Sequence, residues 1–136
     1  MNRDLLDDAV RNMLAAELDV EVGLSDTPST GPTVPYIIVF QSPSPKPKGD
    51  YAHPESIKDM RYLIKSVGRN HKETARTSSR AALAMTGPGG DWESAPAIVA
   101  VGFSIIERCL VSSGAIVRAE GPSLFETNDI YKIEVE

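Results

Sequence analysis

The side chains that could do chemistry are scattered along this sequence. His53 and His71 stand alone, with no His-Glu-x-x-His or His-x-His spacing to hold a metal ion. His71 falls in the first turn of a predicted helix and reads as a solvated residue, and His53 falls in a proline-rich stretch. Cys109 is the single cysteine, which excludes an internal disulfide and a cysteine zinc site; within a predicted strand it reads as a small apolar residue. The acids Asp7, Asp8, Glu17, Asp19 and Glu21 fit a solvated polar face better than a carboxylate pair in a cleft. Gly87-Pro-Gly-Gly90 lacks the lysine and spacing of a phosphate loop. Ser42, Ser44, Ser78, Ser79, Ser112 and Ser113 all lie outside a G-x-S-x-G context. We therefore expect no catalytic residue, no cofactor and no metal site.

Composition narrows the class further. The chain has 136 residues, with 14 Lys+Arg against 19 Asp+Glu and a net charge of −5. That length suits one domain, 1–136, with one modest core. The acidic balance argues against binding nucleic acid through phosphate neutralisation. Its apolar runs, such as Val34–Phe40 and Ala95–Ile106, are shorter than the ~18 residues of a membrane span, so no membrane association is expected. The opening MNRDLLDDAV is acidic and amphipathic, without an apolar leader core. Together with the lone cysteine, this points to a cytoplasm-like compartment.

The elements that would position these residues follow from periodicity. Leu5, Leu6, Ala9, Val10, Met13, Leu14 and Leu18 form one apolar stripe, predicting a helix capped by Asn2 or Asp4. Val20, Val22 and Leu24 alternate as a short strand, and the prolines and glycine of Ser25–Pro35 mark a loop. Tyr36–Phe40 is uncharged, β-branched and aromatic, and reads as a strand buried on both faces. A second strand over Ile57–Val67 places Met60, Tyr62, Ile64 and Ser66 on its drier face. Asn70 and Glu73 have capping-box spacing for a second helix, ended by Gly87 in a left-handed conformation. Its inner face is expected to be Ala75, Ser79, Ala82, Leu83 and Thr86. Phe103–Val111 and Ala115–Ala119 read as strands of a hairpin turning at Ser112–Gly114, and Asp129–Val135 as the strand closing the sheet. This order predicts an α+β fold: one mainly antiparallel β-sheet with two α-helices packed against it.

Between the central strands, Gln41–Ser56 is two to three times the usual connection length and carries alternating prolines at 43, 45 and 47. We read it as a protein contact arm presenting Lys46, Lys48, Asp50, Tyr51 and His53, with a plain hairpin tip as the alternative.

Taken in order, these elements resemble the tail terminator (tail completion) proteins of long-tailed bacteriophages, in an actinobacteriophage-like version. The resemblance is carried by the amphipathic first helix, by PYIIVF (Pro35–Phe40) and by MRYLIKSVGRN (Met60–Asn70) running into TARTSSRAALAMTG (Thr74–Gly87). IIERCLVSSG (Ile105–Gly114), GPSLFETND (Gly121–Asp129) and IYKIEV (Ile130–Val135) complete it. It implies a non-enzymatic virion protein, assembled in the host cytoplasm, that forms a homo-oligomeric ring of six copies on the head-proximal end of the tail. The implied partners are its own copies, the tail tube protein and a head-completion or neck protein. DNA would pass through the lumen without sequence-specific binding, and six copies at −5 would carry about −30, a sign that repels passing DNA. The alternatives are another head–tail neck or tail component, or a small-molecule-binding or enzymatic domain sharing a site between subunits, with Trp92, Tyr51 and His53 as candidates.

Overall fold

The computed structural model describes residues 3–42, 58–100, 102–119 and 124–136. Helix α1 spans Arg3–Leu18 and strand β1 Glu21–Leu24; β2 is Tyr36–Ser42, β3 Lys58–Gly68, α2 His71–Thr86, β4 Ile105–Ser113, β5 Val117–Arg118 and β6 Phe125–Val135. The sheet runs β1-β2-β3-β6-β4, with β5 also on β6. Every pairing is antiparallel except β1 with β2. This is the expected α+β fold.

α1 forms on the predicted stripe: Leu6, Val10, Met13, Leu14 and Leu18 are buried, while Leu5 turns outward. Asp4 lies inside the helix rather than capping it, and Asn2 is outside the described residues. β2 is buried on both faces, as its uncharged sequence requires. Ile37 and Val39 enter the main core with α1 and α2, whereas Tyr36 and Ile38 join Val67 in a smaller cluster on the opposite side. In β3, Met60, Tyr62, Ile64 and Ser66 are the buried alternation, joined by Asp59 near the strand's start and by Val67 and Gly68 at its end. Both helices therefore cover one face of the sheet, α1 beside β1 and α2 over β3, β6 and β4.

α2 starts where predicted. Asn70 is extended (φ −151°), and its Oδ1 accepts the Glu73 N–H at 2.8 Å. The return half of the box is displaced by one residue, because Glu73 Oε1 accepts from the Arg69 N–H at 3.0 Å. At the other end Gly87 has φ +80° but ψ 170°, an extended glycine conformation rather than the left-handed helical one. A Cβ there would strike the Asp91 carbonyl.

Three further expectations are corrected. The buried face of α2 is Thr74, Thr77, Ala81, Ala84 and Met85; Ala75, Ser79 and Leu83 are exposed, and Ala82 and Thr86 half-buried. Threonines can line this face because their hydroxyls donate back along the helix, Thr74 to the Asn70 carbonyl and Thr77 to that of Glu73. β4 and β5 form no hairpin: both lie antiparallel along β6, successive pieces of one interrupted strand with Gly114–Ile116 between them. The Gly114 N–H still bonds the Asn128 carbonyl at 2.8 Å, so the chain runs straight on where Ser112–Gly114 suggested reversal. Finally, β6 does not close the sheet but lies inside it, between β3 and β4, paired along its whole length. Its alternation is the sign of an interior strand with one covered face.

Candidate interaction surface

The outer part of the molecule is built on β4, and beyond its ladder with β6 the middle of β4 is tied to the helix layer by one arginine. Glu107 and Arg108 are consecutive, so in a strand they must point to opposite faces. Glu107 takes the uncovered face and Arg108, 4% exposed, goes under α2. There Nη2 donates to the Ala84 carbonyl (2.7 Å), Nε to that of Met85 (2.9 Å) and Nη1 to that of Pro96 (2.8 Å). Two of these are last-turn carbonyls of a helix with no basic residue in its own last turn, so β4 supplies the missing cation from outside. Burial pushes the guanidinium below its ordinary value, yet it stays charged at any physiological pH. Arg80 does the same for α1 from the surface, donating to the Leu18 carbonyl at 2.8 Å.

Further polar ties hold the covered face. The buried Asp129 carboxylate on β6 accepts from Ser78 Oγ of α2 (2.7 Å) and Ser113 Oγ of β4 (2.6 Å). The Tyr62 hydroxyl donates to Asp7 of α1 at 2.7 Å. Directly opposite Tyr62 in register stands Tyr131, whose buried hydroxyl has no hydrogen-bond partner among the described residues. Burial, and then the Asp129 charge, push that phenol well above its usual range.

On the uncovered face the charges pair side by side: Lys65 with Glu126 at 3.5 Å, Lys132 with Glu134 at 3.3 Å and Arg61 with Asp59 at 3.8 Å. Burial lowers the Lys132 ammonium, but the Glu134 hydrogen bond and the acids Cys109, Glu134 and Glu107 outweigh it, leaving the pKa raised. At the far end of this face a groove of about 330 Å³ lies between Tyr36, Ile38, Lys65, Val67, Leu124 and Glu126. The β4–β5 edge is different in character. Ile106, Leu110, Val111 and Val117 are all at least 36% exposed, and no described strand pairs with the outer side of β4.

Among the described residues, the histidine, the cysteine and the tryptophan singled out in the sequence are not brought together, whereas Ser78 and Ser113 meet at Asp129. His71 opens α2 and its ring lies tilted by 53° against that of Phe125 (centroids 4.7 Å apart), whereas Cys109 pairs with Lys132 toward the other end of β6. Trp92 sits in a single-turn 3₁₀ segment, Trp92–Ser94, beside a pocket of about 240 Å³ reaching Ile105 and Arg108. The arm residues Lys46, Lys48, Asp50, Tyr51 and His53 lie outside the described residues. Among the described residues there is no group of three or more His, Cys, Asp or Glu able to hold a metal ion, and no helix long and apolar enough to cross a membrane. Sequence reasoning missed Arg108, although two adjacent charges inside an apolar strand signalled that one of them had to enter the core.

No family model and no curated protein matches this chain. Among solved structures, it is similar to a chain of the virion of a native gene transfer agent particle, with TM-score 0.64 and 14% identity over 96% of this chain and 94% of that one. It is also similar to a second solved chain, with TM-score 0.57 and 12% identity over 98% of this chain and 96% of that one. At these identities what is shared is the fold, along nearly the whole length of each chain.

Proposed function

We propose that this chain is a structural subunit of a phage-like virion, and more finely that it forms the ring capping the head-proximal end of the tail tube. The observation that carries the reading is the end-to-end likeness to a chain of the gene transfer agent virion, which leaves only a few per cent of either chain uncovered. The order of sequence elements that resembles tail terminators supports the finer role. The exposed apolar residues of the β4–β5 edge support work by contact, because large side chains clustered on one edge mark interaction surfaces.

In this role the chain does no chemistry. Copies join side to side, six to a ring; one rim of the ring meets the last ring of tube protein and the other receives the neck. Closure needs a contact between two different surfaces of the subunit, repeated around an axis. Electron microscopy of tubes grown from the cognate tube protein, with and without this chain, tests the reading. Bounded tubes bearing a ring of density at one end are expected, against overlong tubes in its absence. Unchanged lengths and bare ends would overturn it and move the assignment to another neck or tail component.

A further inference from the structure

We propose that the outer edge of β4 receives, as an added strand, the Pro43–Lys48 segment of a second copy of this chain. The proposal rests on the self-association in the reading above and identifies the surfaces that make it. On the acceptor side, Leu110, Val111, Ser112 and Ser113 are exposed, and no described strand covers their outer backbone. From Cys109 to Val117 the sequence holds no charge, so this edge lacks the lysines that usually keep strand edges apart. Its register against β6 shifts between Ile105 and Glu107 and again between Leu110 and Ser112. Such bulges twist the edge and interrupt its ladder, which hinders pairing with a second full-length strand and leaves only short stretches of regular register.

On the donor side, the segment begins where β2 ends at Ser42, and the chain returns at Lys58 in the neighbouring β3. In a β-strand successive backbone groups point to opposite sides. Prolines 43, 45 and 47 would then all fall on one side, which loses its N–H donors, while Ser44, Lys46 and Lys48 keep theirs on the other. Such a segment can pair on one side only: it can complete an edge and cannot propagate a sheet. Its two lysines also match the uncovered face beside β4, where Glu107 and Glu134 outnumber Lys132. Own-copy pairing would need the segment to double back across β3 and β6, because β4 is the far strand from β2.

Cysteine cross-linking in the full chain tests this, because Cys109 is the single native cysteine and lies on β4. Ser44→Cys, Lys46→Cys and Lys48→Cys are each paired with Cys109 to read one face of β4. The same three are paired with Leu110→Cys in a Cys109→Ser background to read the other. Isotope-labelled and unlabelled chains are mixed, oxidised and analysed by mass spectrometry. The expected result is a disulfide from the segment to position 109 or 110 joining a labelled to an unlabelled copy. It should fall at least tenfold when Ser44→Pro is added to Lys46→Cys. If that variant alters the circular dichroism spectrum, Leu110→Lys, at an exposed position, replaces it with Cys109 as the acceptor cysteine. Links confined to one copy, links of Cys109 only to Cys109, no link, or a link insensitive to these variants would overturn the proposal. Capped tubes without the link would sink this proposal and leave the ring standing; the link without capped tubes would do the reverse.

Discussion

Toward the helices the sheet presents Met60, Tyr62, Ile64, Tyr131, Ile133 and Val135, none more than 2% exposed, while away from them it presents Arg61, Lys65, Glu126, Lys132 and Glu134. The same strands make both faces, so the difference lies in how each satisfies its polar groups. On the covered face the ties span elements distant in sequence: Arg108 to the end of α2, Asp129 to α2 and β4, Tyr62 to α1. On the other face charges meet an adjacent strand or their own. Stability should therefore be concentrated on one face, leaving the other free to change with its partners.

Replacing Arg108 would break that concentration most. Arg108→Met removes the charge but leaves three carbonyls beneath α2 without their donor, and buried unpaired acceptors cost ~1–3 kcal/mol each. Urea unfolding should show a loss of about 3–5 kcal/mol. The facing tyrosines sharpen the comparison within the covered side. Tyr62→Phe should cost about 2 kcal/mol, the usual worth of a hydrogen bond to a charged acceptor, whereas Tyr131→Phe should be neutral or slightly stabilising. Equal effects in thermal unfolding would count against the hydrogen-bond explanation. Asn70→Ala should cost about 1 kcal/mol through loss of the cap, and Asn70→Gly only a few tenths.

The uncovered face should respond least. Lys65→Ala and Lys132→Ala, each removing one partly exposed ion pair, should shift stability by under ~1 kcal/mol, with the shift shrinking in high salt. A loss of the size expected at Arg108 would refute the division between faces. Glu73 gives a pH signature at the rim. The Arg69 side chain, then its backbone N–H, hold that carboxyl below the ordinary glutamate range. Its contribution is thus present above the unfolded-state pKa and lost as pH falls through the lower folded value. Wild type and Glu73→Gln should differ at neutral pH and converge in acid.

What the sequence disclosed depended on how many physical readings each segment allowed. α1 and β2 were legible because a leucine-rich stripe and an uncharged β-branched run each fit one environment. α2 was legible as a helix but not in its rotation. It has small residues on both sides, and Leu83, which its type assigned to the core, is 55% exposed. Back-bonded threonines took the inner face instead, a choice set by the strands beneath. Ser112–Gly114 carries the residues of a turn, yet the chain there only breaks its register and continues along β6. Of the candidate contact residues, those of the arm lie outside the described residues, and the exposed apolar edge emerged only once β4 had a place in the sheet.

Arg108 also has a mechanical meaning. An edge strand held by a ladder alone can be unzipped, one hydrogen bond failing after another under a small pull. β4 cannot come away in that manner, since lifting its middle draws a guanidinium out of three carbonyls belonging to a helix and to the segment after it. A tug on this edge is therefore carried into α2 and resisted by both layers at once, as a rivet resists where a seam would tear.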